Sequence, residues 1–208
     1  MTPQLFRHRL ALAGVLAAAL ALPGCISLFG KTDPAQLYSF TGAEDEAAAA
    51  VPAGAPAIQL GQVSFNRAAA SDRILTTSGR QAAYIAASRW VSPAEVQFMQ
   101  GLKRAFAEQG GVRLVDRQEL VASTLTLTVD VPVFETRYLA GDEAAPTVVV
   151  ETRGRLLRFP ERAIIGEDTF RAEVRASDNR VTAIAEAYAQ AVDQVQGRMA
   201  AWAAGAAR

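Results

Sequence analysis

Between Thr124 and Val133 apolar and polar side chains alternate without a break. Leu125, Leu127, Val129, Val131 and Val133 stand against Thr124, Thr126, Thr128, Asp130 and Pro132. A period of two puts the first set on one side of a strand and the second on the other. The stretch therefore predicts a half-buried antiparallel strand with one wet face. Pro132 has no N–H to give to a ladder, which predicts a sheet edge or a bulge at that end. Thr147–Phe159 and Ala163–Val174 continue as long strands. The turn signals between them, Gly141 to Pro146 and Pro160-Glu161-Arg162, make the three a meander. Upstream, Ala57–Phe65 reads as a strand with Ile58, Leu60 and Val63 inward. Arg73–Thr77 and Gln81–Ala86 read as a hairpin about Ser78-Gly79, and Leu37–Phe40 and Val112–Val115 as short strands.

Two stretches carry the helical period instead. In Pro93–Gln109 the residues Val96, Met99, Leu102 and Phe106 form an apolar stripe. Ser92 stands as N-cap, Pro93 at the first helical position, Glu95 where it closes a capping box, and Gly110-Gly111 at the stop. From Asn179 towards Trp202 a second stripe runs through Val181, Ile184, Tyr188, Val192, Val195 and Met199, flanked by alanines small enough to let the helix lie close on a sheet. The predicted fold class is α+β, an antiparallel or mixed sheet with two amphipathic helices packed on one face.

The N-terminus breaks both periods. Arg7, His8 and Arg9 precede an apolar run from Leu10 to Leu22, and Pro23-Gly24-Cys25 follows. The run is too short for a stable bilayer-spanning helix and has the length of a signal-peptide core. A leucine three places before a cysteine and a small residue just before it form a lipoprotein processing signal. The expected organisation is a signal peptide over residues 1–24, a lipidated tether over 25–36 and one periplasmic α+β domain over 37–205. That domain carries a flexible loop at about 41–56, where acids, alanines, Pro52, Gly54 and Pro56 show no periodicity. A flexible tether of this length reaches roughly 18 Å, so the domain is expected close to its bilayer.

This processing changes the available chemistry. His8 is the only histidine of the 208 residues and Cys25 the only cysteine. The first leaves with the signal and the second becomes the lipid attachment point. Ser/His and Cys/His nucleophilic catalysis and His/Cys zinc sites are thereby excluded from the mature domain. No metal ligands, catalytic residues or cofactors are expected. The chain carries 21 basic and 21 acidic side chains, and removing Arg7 and Arg9 leaves a slight acidic excess. Nothing there resembles a nucleic-acid footprint.

Several pieces occur in a telling order. They are Cys25, then Leu37-Tyr38, then Arg89-Trp90-Val91-Ser92-Pro93 leading into a helix with Phe98 and Leu102. The strand ending Val133-Phe134-Glu135 and the closing helix with Ala183-Ile184-Ala185-Glu186-Ala187 come after them. In that order they resemble the ABC-type transport auxiliary lipoprotein family. The resemblance implies a non-enzymatic accessory of a transporter built from an ABC ATPase, a permease and a mammalian-cell-entry (MCE) type periplasmic protein. Such systems move lipids between the inner and outer membranes. Ile26, where an aspartate would signal retention in the enteric sorting rule, points to an outer-membrane anchor facing the periplasm; the inner membrane stays open, as does homo-oligomerisation. The alternative is a lipoprotein that assists another envelope assembly, as a secretin pilot or a cell-wall synthase activator does.

Two places are candidates for contact with a partner or with lipid. Arg89 and Trp90 precede the first helix; the plainer reading has Trp90 packing over the helix start with Arg89 covering it. Arg153 and Arg155 share one strand face and fit phosphate head groups or an acidic partner. The plainer reading there is a solvated face balanced by Glu151, Glu161 and Glu167.

Overall fold

The long alternating strand is the hub of the sheet. In chain order the described elements are β1 (Gln36–Tyr38), β2 (Ala57–Phe65), β3 (Arg73–Ser78), β4 (Gln81–Trp90), α1 (Ala94–Gln109), β5 (Arg113–Val115), β6 (Leu125–Arg137), β7 (Thr147–Arg158), β8 (Ala163–Arg175) and α2 (Val181–Ala206). One edge of β6 is taken by β7 from Leu125 to Arg137. Its other edge is shared by β2, beside Leu125 to Val131, and by β3, beside Thr136 and Arg137. Beyond β7 lies β8, beyond β2 lies β5, and beyond β3 lie β4 and then β1. The β3–β4, β6–β7 and β7–β8 pairs are antiparallel and the rest parallel, so the sheet is mixed. The structure is a computed structural model and describes residues 34–41, 54–119 and 121–207. The signal peptide, Cys25, most of the tether and most of the 41–56 loop lie outside the described residues. Gln36, assigned to the tether by sequence, is the first residue of β1.

Pro132 lies in a register shift of β6 against β7 between Asp130 and Val133. The bulge resets the alternation. Leu125, Leu127, Val129 and Val131 enter the core before it, and Phe134 and Thr136 after it. Val133, expected inside, therefore stands on the other face. Asn66 secures the irregular backbone, its N–H donating to Val131 O at 3.0 Å and Nδ2 to Pro132 O at 3.1 Å.

Both helices cover the same face of the sheet and share one core with it. In α2, Ile184, Tyr188, Val192, Val195 and Met199 point inward, and Ala187, Ala191, Ala200 and Ala203 let the helix settle close. Trp202 lies over two glycines of the sheet. A Cβ on Gly154 or Gly166 would come within 3.1 Å of its ring.

Two expectations for α1 do not hold. The buried stripe is Ala94, Gln97, Phe98, Gly101, Leu102 and Phe106, and Val96 is 38% exposed. Phe98 stands edge-on to Phe65 with ring centroids 5.8 Å apart, and a residue two places away lies about 200° round a helix. Seating Phe98 therefore turns Val96 outward. The capping box is also absent: Pro93 holds the cap position and no side chain caps the helix. The first free amides are met from a loop, Ala94 N–H by Ser71 O at 3.0 Å and Glu95 N–H by Ala70 O at 3.3 Å. At the other end Gly110 closes α1 in the left-handed conformation with φ 71°.

Candidate functional site

The helices cover one face of β6, β7 and β8, and the opposite face carries a charged lattice whose rows follow from strand register. Arg155 lies between Thr128 and Glu167, Arg153 between Asp130 and Thr169, and Glu151 between Val133 and Arg171. Much of this charge is neutralised within the face. Arg171 bonds Glu151 and Glu173, each at 2.7 Å, and these bonds hold its guanidinium firmly protonated. Arg137 pairs with Glu135 at 2.6 Å and Arg153 with Glu167 at 3.9 Å. Solvent-facing pairs of this kind contribute about 0–1 kcal/mol each. They set the pattern of the face more than its stability.

Arg155 differs from its neighbours. No carboxylate among the described residues lies within ion-pair distance of it. It lines a shallow groove of about 290 Å³ with Ser64, Asp130, Leu157 and Ile164. Asp130 is occupied by the Ser64 hydroxyl, which donates to it at 2.8 Å, and Ile164 is 56% exposed. A guanidinium beside an apolar lip suits a phosphate or carboxylate borne on a hydrocarbon. The structure thus places Arg153 and Arg155 on one open face, the first engaged and the second free.

Arg89 and Trp90 part company. Trp90 is 2% exposed, edge-on to Phe40 at 4.9 Å and to Tyr188 at 5.1 Å. Its large apolar ring is buried in the core, and a partner cannot reach it. Arg89 stays at the surface and pairs with Asp72 at 3.5 Å. Tyr188, also in that aromatic cluster, accepts a bond from the Thr136 hydroxyl at 3.2 Å, and burial pushes its phenol well above the ordinary range. These are packing residues.

Among the described residues no group of three or more His, Cys, Asp or Glu is placed to hold a metal ion. No helix among them is long and apolar enough to cross a membrane. A second concave place, between α1 and α2, is lined by residues the sequence reading passed over, among them Gly101, Asp193 and Gln196. Gly101 was the available signal, since glycine inside a helix is costly and calls for a packing reason.

Residues 38–200 match the model of a family described as the ABC-type transport auxiliary lipoprotein component. No curated protein matches the sequence. Among solved structures, a Xanthomonas campestris protein of the DUF330 family is similar, with TM-score 0.71 and 22% identity over 83% of this chain and 97% of that one. An uncharacterized protein follows at TM-score 0.64 and 19% identity, covering 82% and 99%. A Chlamydia trachomatis hypothetical protein has TM-score 0.50 and 9% identity, covering 73% and 96%. At these identities the structural likenesses establish a shared fold.

Proposed function

The chain belongs to the ABC-type transport auxiliary lipoprotein family, and from that we propose that it is the lipid-anchored, non-enzymatic accessory of an MCE-type transporter moving lipids between the two membranes. Cys25 is the acylated residue, residues 1–24 are removed, and residues 25–34 tether a periplasmic domain to the outer membrane. The partners are the MCE-type periplasmic protein and, through it, the ABC permease and ATPase. The observation that carries this reading is the family match over residues 38–200 downstream of a basic, apolar and cysteine-terminated leader. The open face with Arg153 and Arg155 supports it, offering an anion-receptive surface beside apolar side chains to a protein or a lipid head group. His8 and Cys25, the only histidine and cysteine, lie in the leader and at its end, which favours work by contact over turnover.

Capture of the tagged lipoprotein from gently solubilised membranes tests the reading. The MCE protein and its permease are expected to co-purify with the wild type, and Cys25→Ser is expected to lose both acylation and outer-membrane fractionation. Recovery of a secretin subunit or a cell-wall synthase in their place overturns the transporter assignment. Unchanged acylation of Cys25→Ser overturns the anchor.

A further inference from the structure

β1 ends the sheet beside β4, and it is the first described element after the proposed tether. Leu37 stands in register with Arg89 of β4, and Arg89 with Arg73 of β3. Partners in register share one side of a sheet, so the three make a row. Trp90, next to Arg89, turns the other way, into the core against Tyr188 of α2. The row therefore lies on the face away from that helix. Val91 extends it. Its N–H donates to Tyr38 O at 2.7 Å and carries the β1–β4 ladder one residue past β4.

Leu37 is 63% exposed and Val91 57%. Two branched aliphatic side chains thus stand in the open at the corner where the chain enters the domain. Arginines lie behind them. Arg89 pairs with Asp72 at 3.5 Å, and the Arg73 guanidinium lies 3.6 Å from the centre of the Tyr84 ring. Among the described residues no carboxylate lies within ion-pair distance of Arg73. The corner is thus apolar at its tip with an excess of basic charge behind. That arrangement suits a phospholipid interface, with alkyl groups at the acyl boundary and guanidiniums at the phosphates.

We propose that this corner, formed by Leu37 and Val91 with Arg73 and Arg89, rests on the phospholipid bilayer that holds the Cys25 lipid. The length of chain outside the domain points to that occupant. Residues 26–36 separate Cys25 from Leu37, and a flexible stretch of that length reaches roughly 18 Å. Two aliphatic side chains are too few to hold a free protein at a bilayer. A short tether changes this by raising the effective concentration of the surface to about the millimolar range. The inference rests on the anchoring of Cys25 and adds which side of the domain meets the lipid. Contact alternates with release, since the tether is long enough for both. The far end of β3, where Tyr138 N–H donates to Thr77 O and Leu139 follows, then points away from the bilayer.

Spin labelling of the full-length lipidated protein in phosphatidylethanolamine and phosphatidylglycerol vesicles tests this. Cys25 is the only cysteine, and acylation consumes its thiol, so an introduced cysteine takes the label alone. Val91→Cys reports on the corner and Leu139→Cys, at a position 76% exposed, on the far end. Dissolved oxygen concentrates in lipid and a nickel chelate stays in water, so collisions with each locate the label. Mass spectrometry first checks the acyl group; without it the anchor fails, and this inference falls with it. With the acyl group present, the oxygen-to-nickel collision ratio is expected to be severalfold higher at position 91 than at 139. Leu37→Glu is expected to bring the ratio at 91 down towards that at 139 without lowering the melting temperature. A label at 91 as open to nickel as the one at 139 overturns the proposal, as does a ratio that Leu37→Glu leaves unchanged. A label at 91 shielded from both reagents also overturns it, because protein, a second copy or a partner, then covers the corner.

Discussion

Asp193 illustrates a conflict within one side chain. Its native carboxyl binds a proton more tightly than the ordinary value of 3.8, chiefly through partial desolvation against the neighbouring helix, although the side chain itself stays exposed and solvent screening keeps the effect small. The native state then holds more proton than the unfolded chain between 3.8 and the raised value, so stability falls as pH rises through that window. Asparagine cannot ionise and escapes this loss. Asp193→Asn is expected to be more stable than the wild type at pH 7 in urea titrations, with the gap closing below about pH 4. A gap that widens on acidification would mean that Arg104 dominates the site. Sequence exposed only part of this scale. The shared face of Arg153 and Arg155 was legible because strand period is fixed, but which of them is engaged was not: register sets Glu167 opposite Arg155, and its carboxylate pairs diagonally with Arg153 instead. Likewise Trp90 could be placed near the start of a helix, but its burial required Phe40, Phe134 and Tyr188, which come from distant parts of the chain.

The start of α1 shows how an element can be recognised correctly and held by other means. Pro93 and Gly110 punctuate the helix as their backbone chemistry demands, whereas the Ser92 hydroxyl makes no cap bond. The residue that does the joining is Gln97, 1% exposed. Its Nε2 donates to Ser92 O at 2.8 Å, and its Oε1 accepts from Ser39 Oγ at 3.0 Å and from Phe40 N–H at 3.3 Å. One amide thus ties the segment after β1 to the helix. Ser92→Ala is expected to stay within about 0.5 kcal/mol of the wild type. Gln97→Leu leaves a buried N–H and carbonyl without partners and is expected to cost about 1–3 kcal/mol. Urea midpoints compare the two, and equal costs would return the cap to Ser92. The same cause explains the misplaced stripe. Val96 and Phe98 both fit helical spacing, and the choice between them is made by Phe65 on another element.

At the scale of the molecule, sequence revealed the elements and their class but not the pairing of the sheet. The β6–β7–β8 meander was legible because short turns make consecutive strands neighbours. The parallel contacts of β6 with β2 and β3, and of β1 with β4, join residues far apart in sequence, and local pattern does not encode them. The β1–β4 contact bears directly on how the proposed tether meets the domain. Gln36, Leu37 and Tyr38 pair with Ser88, Arg89 and Trp90, and Tyr38 O accepts from Val91 N–H at 2.7 Å. A tether acting only as a spacer must therefore end before Gln36, because reach depends on residue number while β1 depends on register. Replacing residues 27–34 with glycine and serine at equal length is expected to preserve melting temperature, membrane fractionation and the envelope barrier. Carrying the replacement through Tyr38 is expected to lower the melting temperature by several degrees, since it strips side chains from β1 and the Tyr38 packing against the core. Deleting residues 27–34 should leave the fold intact and weaken the barrier by holding the domain against the head groups. If the deletion is silent while the equal-length swap of 27–34 fails, the stretch is read for its sequence, and the spacer role gives way to recognition.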